Sequence, residues 1–195
     1  IKKDTQCTVV AHELEKNWIE DIEVQFHHRP VPGFYNLVNE SVNVDLVIED
    51  NETLYIDKDM DLRMLHTPGH SPGLLSVLCK KEGVLFSGDA VPLVNDIPNY
   101  DNKHQLIESL NRIKTTRNYN ILLSSFVGPV IGKTEIDKHI QSGFEYVNKI
   151  ELAVNEVYSK EKENSLKSCK AVINDLQLHP AFVNPLVHNA FLSHL

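Results

Sequence analysis

The sequence predicts a mixed α/β (α+β) domain, and three observations carry that reading. Of its 195 residues 42% are apolar, enough for a real core and too many for a disordered chain. The first half holds short β-type runs separated by tight turns. The second half repeats apolar residues at helical spacing. The length is that of one ordinary domain with, at most, a small appendage.

In chain order, Cys7-Thr8-Val9-Val10-Ala11 is a β-like run, and His12 to Asp21 makes one or two helical turns with Leu14, Trp18 and Ile19 on one side. His12 reads first as a satisfied structural residue and second as a pocket lining. Ile22 to Gly33 is less regular. The adjacent His27 and His28 would point to opposite sides of an extended chain, so they do not chelate by themselves. Pro30 to Tyr35 is a turn with aromatic neighbours. Val42 to Ile48 suits a strand, Glu49 to Glu52 a turn, and Leu54-Tyr55-Ile56 a second short strand. Leu62 to His66 then enters the central stretch, so that an antiparallel meander is expected.

That stretch runs His66-Thr67-Pro68-Gly69-His70-Ser71-Pro72-Gly73, then Leu74 to Cys79, then Val84-Leu85-Phe86-Ser87-Gly88-Asp89-Ala90. Two Pro-Gly pairs forbid helix, which puts both histidines on a bent connector. Leu74 to Cys79 is a buried strand, Lys80 to Gly83 a polar turn, and Val84 to Phe86 the returning strand of a hairpin. If the first loop folds back, His70 and Asp89 meet at one rim of the sheet. An imidazole and a carboxylate converging there are what a zinc or iron site needs.

The same residues resemble the central signature of the metallo-β-lactamase fold hydrolases, a superfamily that includes glyoxalase II and many ribonucleases. The resemblance implies an αβ/βα sandwich. It also implies that His70 binds a first metal and that Asp89 bridges two. Two further motifs of that family do not carry over. Its His-X-His-X-Asp-His stretch, source of four ligands and the water-activating aspartate, has no counterpart here. That aspartate is expected upstream of Ile1, since the chain starts without methionine and reads as cut from a larger product. The late Gly-His-Gly motif falls at Ser124 to Pro129, with Val127 in the histidine's place. Ser124 or Ser125 could still hydrogen-bond a water there.

Beyond Asp89, residues 91 to 101 form an ordered loop in which Asp96 is an open candidate and Asp101 a helix cap. Asn102 to Thr116 is an amphipathic helix, Ile121-Leu122-Leu123 a buried strand, and Thr134 the cap of a long helix to Ser159, with His139 off its apolar stripe. Gly128 to Thr134 falls one residue short of a phosphate-binding loop, and coincidence explains it better. Lys160 to Asn164 is a charged linker, dividing a core of residues 1–159 from a helical extension of residues 160–195. Ser165 caps one helix there and Asn184-Pro185 starts the last one, in which His188 and His194 lie too far apart in phase to pair. The helices' apolar faces require the core or a second copy, which leaves a homodimer interface open.

The formal charge of -8, without a dense Lys-Arg cluster, argues against nucleic acid. No run spans a bilayer and no leader is evident, so a cytoplasmic protein is expected, its three scattered cysteines reduced core residues. Two functions follow. One is a metal-dependent hydrolase of an ester, thioester or related small molecule, using one or two zinc ions (or iron or manganese), with this chain a truncated, weakly active form. The alternative is a non-catalytic binding or regulatory module with a degenerate metal site.

Overall fold

The computed structural model describes residues 2–160 and 165–195. Its elements, in order, are α1 (Lys2–Thr5), β1 (Val10–Ala11), α2 (Glu13–Glu20), α3 (Ile22–His28), α4 (Phe34–Leu37), β2 (Leu46–Val47), β3 (Thr53–Tyr55), β4 (Asp61–His66), β5 (Leu75–Cys79), β6 (Val84–Gly88), α5 (Lys103–Thr115), β7 (Ile121–Ser124), β8 (Val130–Ile131), α6 (Lys133–Lys160), α7 (Leu166–Asp175), a 3₁₀ turn (Pro180–Phe182) and α8 (Pro185–Leu192). A six-stranded sheet runs β3-β4-β5-β6-β7-β8, and β1 and β2 pair separately. The mixed α/β class is as expected.

The main sheet explains how the central stretch is presented. Strands β4, β5 and β6 are antiparallel, with His66 opposite Leu75 and Leu78 opposite Leu85. Strand β7 then lies parallel to β6, Leu122 beside Leu85, so the chain must cross over, and α5 makes the crossing. Leu65, Leu78, Leu85 and Leu122 pack on Leu110 and Ile113 of α5 and on Ile136 and Ile140 of α6. Each fully buried leucine of that set contributes about 2 kcal/mol from the apolar area it removes from water. A second core joins α6 to α7 and α8, through Ile150 and Val154, Val172 and Ile173, and Val187 and Phe191.

Several sequence expectations change. Only Leu46 and Val47 of the 42–48 run form a strand, and that strand pairs in parallel with β1, outside the meander. The stretch after Asp21 is helical, because the Asp21 carboxylate accepts from the backbone N–H groups of Glu23 and Val24 and caps it. Asn102, not Asp101, caps α5, accepting from Gln105 N at 3.0 Å. Helix α6 starts at Lys133, one residue before the expected cap Thr134. His139 is half-buried and its Nε2 has no partner. His194 lies beyond the end of α8, which closes at Leu192. Cys79 and Cys169 are buried, but Cys7 is exposed; all three are free. Ser165 stands at the N-cap of α7 without a side-chain cap bond. The expected linker at 160–164 falls, apart from Lys160, outside the described residues. Among the described residues no helix is long and apolar enough to cross a membrane.

Candidate metal centre

The loop between β4 and β5 is folded by its own residues and by α5. His66 Nε2–H donates to the Pro72 carbonyl at 2.8 Å, which closes the loop on itself. The Asp50 carboxylate accepts from His66 N and from Arg112, whose other amino group reaches the His66 carbonyl. Gly69, at φ +126°, lies so near Leu106 that a side chain would have no room. Its carbonyl accepts from Asp101 N and Asn102 N at 2.7 and 3.1 Å, tying the loop to the start of α5. Asp89 follows β6 at a turn made possible by Gly88, φ +54°.

These constraints bring His70 and Asp89 together. His70 Nε2 is 3.8 Å from Asp89 Oδ2, with the imidazole largely buried and the carboxylate about a third exposed. His70 Nδ1 lies 2.7 Å from the Asn99 carbonyl oxygen. A carbonyl can only accept, so Nδ1 carries a proton, and in the neutral ring Nε2 is then left with a lone pair toward Asp89. Burial, with the Arg29 guanidinium second, pushes the His70 pKa down to about 4 against the opposing pull of Asp89. Burial and the Arg29 guanidinium thus favour the neutral imidazole over the ion pair with Asp89.

A neutral imidazole whose far nitrogen is held by a carbonyl is the state in which histidine binds a metal. Two ligand atoms on one tetrahedral zinc stand about 3.4 Å apart. The observed 3.8 Å needs only a few tenths of an ångström to match. The pair thus fits two positions on one ion. Among the described residues no group of three or more His, Cys, Asp and Glu side chains is placed to complete the set.

The other candidates divide. Asp96 lines a small cavity with His70 and Asp89, but its Oδ1 accepts from Ile97 N at 2.7 Å. Ser125 and the exposed Phe126 line the same cavity; Ser124 is spent on a 2.8 Å bond to Ser87. His12 caps α2, accepting from Leu14 N at 3.2 Å, and stacks on His66 at 4.2 Å between ring centres, the satisfied role the sequence favoured. It also lines, with His70 and Asp89, a wider cleft of about 360 Å³. His27 and His28 have rings 5.8 Å apart and edge-on, and His28 stacks on Trp18.

Sequence reasoning misses two site residues. Arg29 is buried beside His70, donates to Asn99 Oδ1 at 2.5 Å, and faces Asp101 at 3.6 Å. Burial raises the Asp101 pKa, and Arg29 offsets part of that rise. Asn99 supplies the carbonyl that orients His70. Backbone carbonyls leave no mark in a sequence, and Arg29 looks like any surface arginine until α3 folds it inward.

Comparison with known proteins bears on the family and the fold. Residues 1–124 match the profile of the Metallo-beta-lactamase superfamily. Acyl-coenzyme A thioesterase MBLAC2 from Bos taurus is 34% identical over 76 residues, and the Homo sapiens protein is 33% identical over the same length. Each match spans 38% of this chain and 26% of the relative, so the chain covers about a quarter of those proteins. Among solved structures, a metallo-beta-lactamase family protein from Thermus thermophilus superposes with a TM-score of 0.69 at 19% identity, over 97% of this chain and 65% of that one. The BLEG-1 B3 metallo-beta-lactamase gives 0.51 at 26% identity, over 70% and 65%. With a profile match over more than half its length and the fold to go with it, the chain belongs to the metallo-beta-lactamase superfamily.

Proposed function

We propose that the chain carries part of the metal centre of a hydrolase that cleaves an ester or thioester of a small molecule in the cytoplasm, with His70 and Asp89 holding a divalent cation, zinc first. The observation that carries this reading is the His70 geometry: Nδ1–H on the Asn99 carbonyl at 2.7 Å and Nε2 free toward Asp89 at 3.8 Å. Such an ion, when bound, lowers the pKa of water and polarises a carbonyl. The chain's own part is to orient the imidazole through Asn99 and to keep it neutral by burial and by Arg29. The wider cleft, about 360 Å³ and walled by Trp18, Arg29 and Ser71, is within the size range of small-molecule sites. The similarity to acyl-coenzyme A thioesterases supports the thioester as the first substrate to try.

A second reading, a non-catalytic module, is favoured by one fact: no third donor joins the pair among the described residues. Zinc titration and an acyl-thioester hydrolysis assay on the purified chain separate the two. The hydrolase reading expects weak zinc binding and slow zinc-dependent turnover, both lost in Asp89→Ala. Turnover no faster than zinc alone, with no zinc bound, favours the module. Stoichiometric zinc that resists chelators would refute a site of only two ligands.

A further inference from the structure

We propose that His194, at the far end of the chain, is a positioning residue for the metal centre, acting through Tyr100 on the carbonyl that orients His70; this rests on the reading of His70 as a metal ligand. Between β6 and α5 the chain has neither helix nor strand, so residues 89–102 are held by individual bonds. One of them is Tyr100 O–H to His194 Nε2, 2.7 Å, with both side chains buried. Tyr100 is the immediate neighbour of Asn99, and it lines the cavity shared by His70 and Asp89. Moving the ring displaces the Asn99 carbonyl, and among the described residues His70 Nδ1 has no other hydrogen-bond partner.

The chemistry of the pair suits a clamp of fixed polarity. Burial depresses the His194 pKa to about 4, so the ring is a neutral acceptor at pH 7. Burial also raises the Tyr100 pKa, keeping the phenol a donor. The Tyr100 hydroxyl has no other acceptor among the described residues, so it donates, Nε2 accepts, and the buried Nδ1 that carries the hydrogen has no partner. A ring that satisfies one nitrogen and strands the other is a poor stabiliser compared with an apolar side chain of similar shape. What histidine adds at this position is direction. The neighbouring bond from Lys103 N to Ser193 Oγ, 3.2 Å, stitches the same chain end to the start of α5. Tyr100 also packs with Leu106, Val147 and Ala190, so the ring is gripped on its apolar sides and aimed by His194.

The test uses the whole chain in three variants: His194→Phe, Tyr100→Phe, which deletes a single oxygen, and Val172→Ala, a core change in α7. Zinc affinity is measured by titration with zinc chloride, and the His70 tautomer by long-range nitrogen–proton NMR of the metal-free protein. The first two variants are expected to weaken zinc binding about tenfold, as loss of a ligand's supporting bond does. They should also give a mixed or fast-exchanging His70 tautomer, and the double variant should be no worse than either alone. Val172→Ala should lower stability and leave both readouts unchanged. An unchanged tautomer and zinc affinity within about twofold in both His194→Phe and Tyr100→Phe would overturn the proposal. If the parent chain binds no zinc, the metal-centre reading fails by itself, while the tautomer still decides whether His194 positions His70.

Discussion

Gly69→Ala offers the sharpest test of how the candidate site is built. A Cβ at this position would lie 2.5 Å from both Cα and N of Leu106 and 2.8 Å from its Cβ. The first two are backbone atoms of α5 and the Cβ moves with them, in a residue only 1% exposed, so no rotamer relieves the clash. The backbone at φ +126° is in a region that only glycine occupies comfortably. That conformation costs alanine about 1–3 kcal/mol, and forcing a methyl into the helix about the same again. Their sum, about 4 kcal/mol at mid-range, is a large share of the roughly 5–15 kcal/mol that holds a domain folded. With an m-value of about 2 kcal/mol/M, the urea midpoint should fall by about 2 M. Urea unfolding followed through Trp18 fluorescence at neutral pH measures it. A midpoint within about 0.5 M of the parent would show that the loop and α5 are not in the contact described.

Three more outcomes follow from the same structure. Gly128→Ala, with nothing within 4 Å of the added methyl, should change stability by no more than about 0.5 kcal/mol in the same assay. His70→Ala should abolish zinc binding by the chain while circular dichroism and solubility stay near those of the parent; insoluble protein, or zinc retained in what survives, would contradict it. The His194 ring, faced by Tyr100, Lys103, Glu151 and His104, has its pKa lowered from 6.5 to about 4 by burial first and Lys103 second. Its folded-state pKa lies below the unfolded one, so its share of stability is full above about pH 6.5 and is lost as pH falls toward 4. Between about pH 7.5 and pH 5 this share is about 2 kcal/mol, and His194→Phe should flatten the pH dependence of the urea midpoint by that amount. Equal slopes in parent and variant would refute it.

The strands of the hairpin and the helices α5, α6 and α8 were legible in the sequence because each is set by local periodicity, although α5 and α6 start a residue or two from the caps expected for them. Helix α8, for instance, begins at Pro185 where the Asn184-Pro185 pair was expected to start it, and there Asn184 accepts from Val187 N. Segments of weak local preference went otherwise. Residues 42–45 have the alternation of a strand but find no partner strand, and Asp101, a good cap by position, is taken by Arg29. Competition of that kind is settled by what lies nearby in space.

The sequence by itself determined that two loops flank a hairpin, because paired strands fix where the hairpin's ends go, so that His70 and Asp89 share a rim of the sheet only if the first loop folds back. Only the tertiary structure decided which nitrogen of His70 faces Asp89, how near the two come, and what holds them: the Asn99 carbonyl, the buried Arg29 and the Tyr100–His194 bond. Those partners come from residues 29 to 194 of the chain, and contacts across such separations depend on burial and packing that no local pattern of residues encodes.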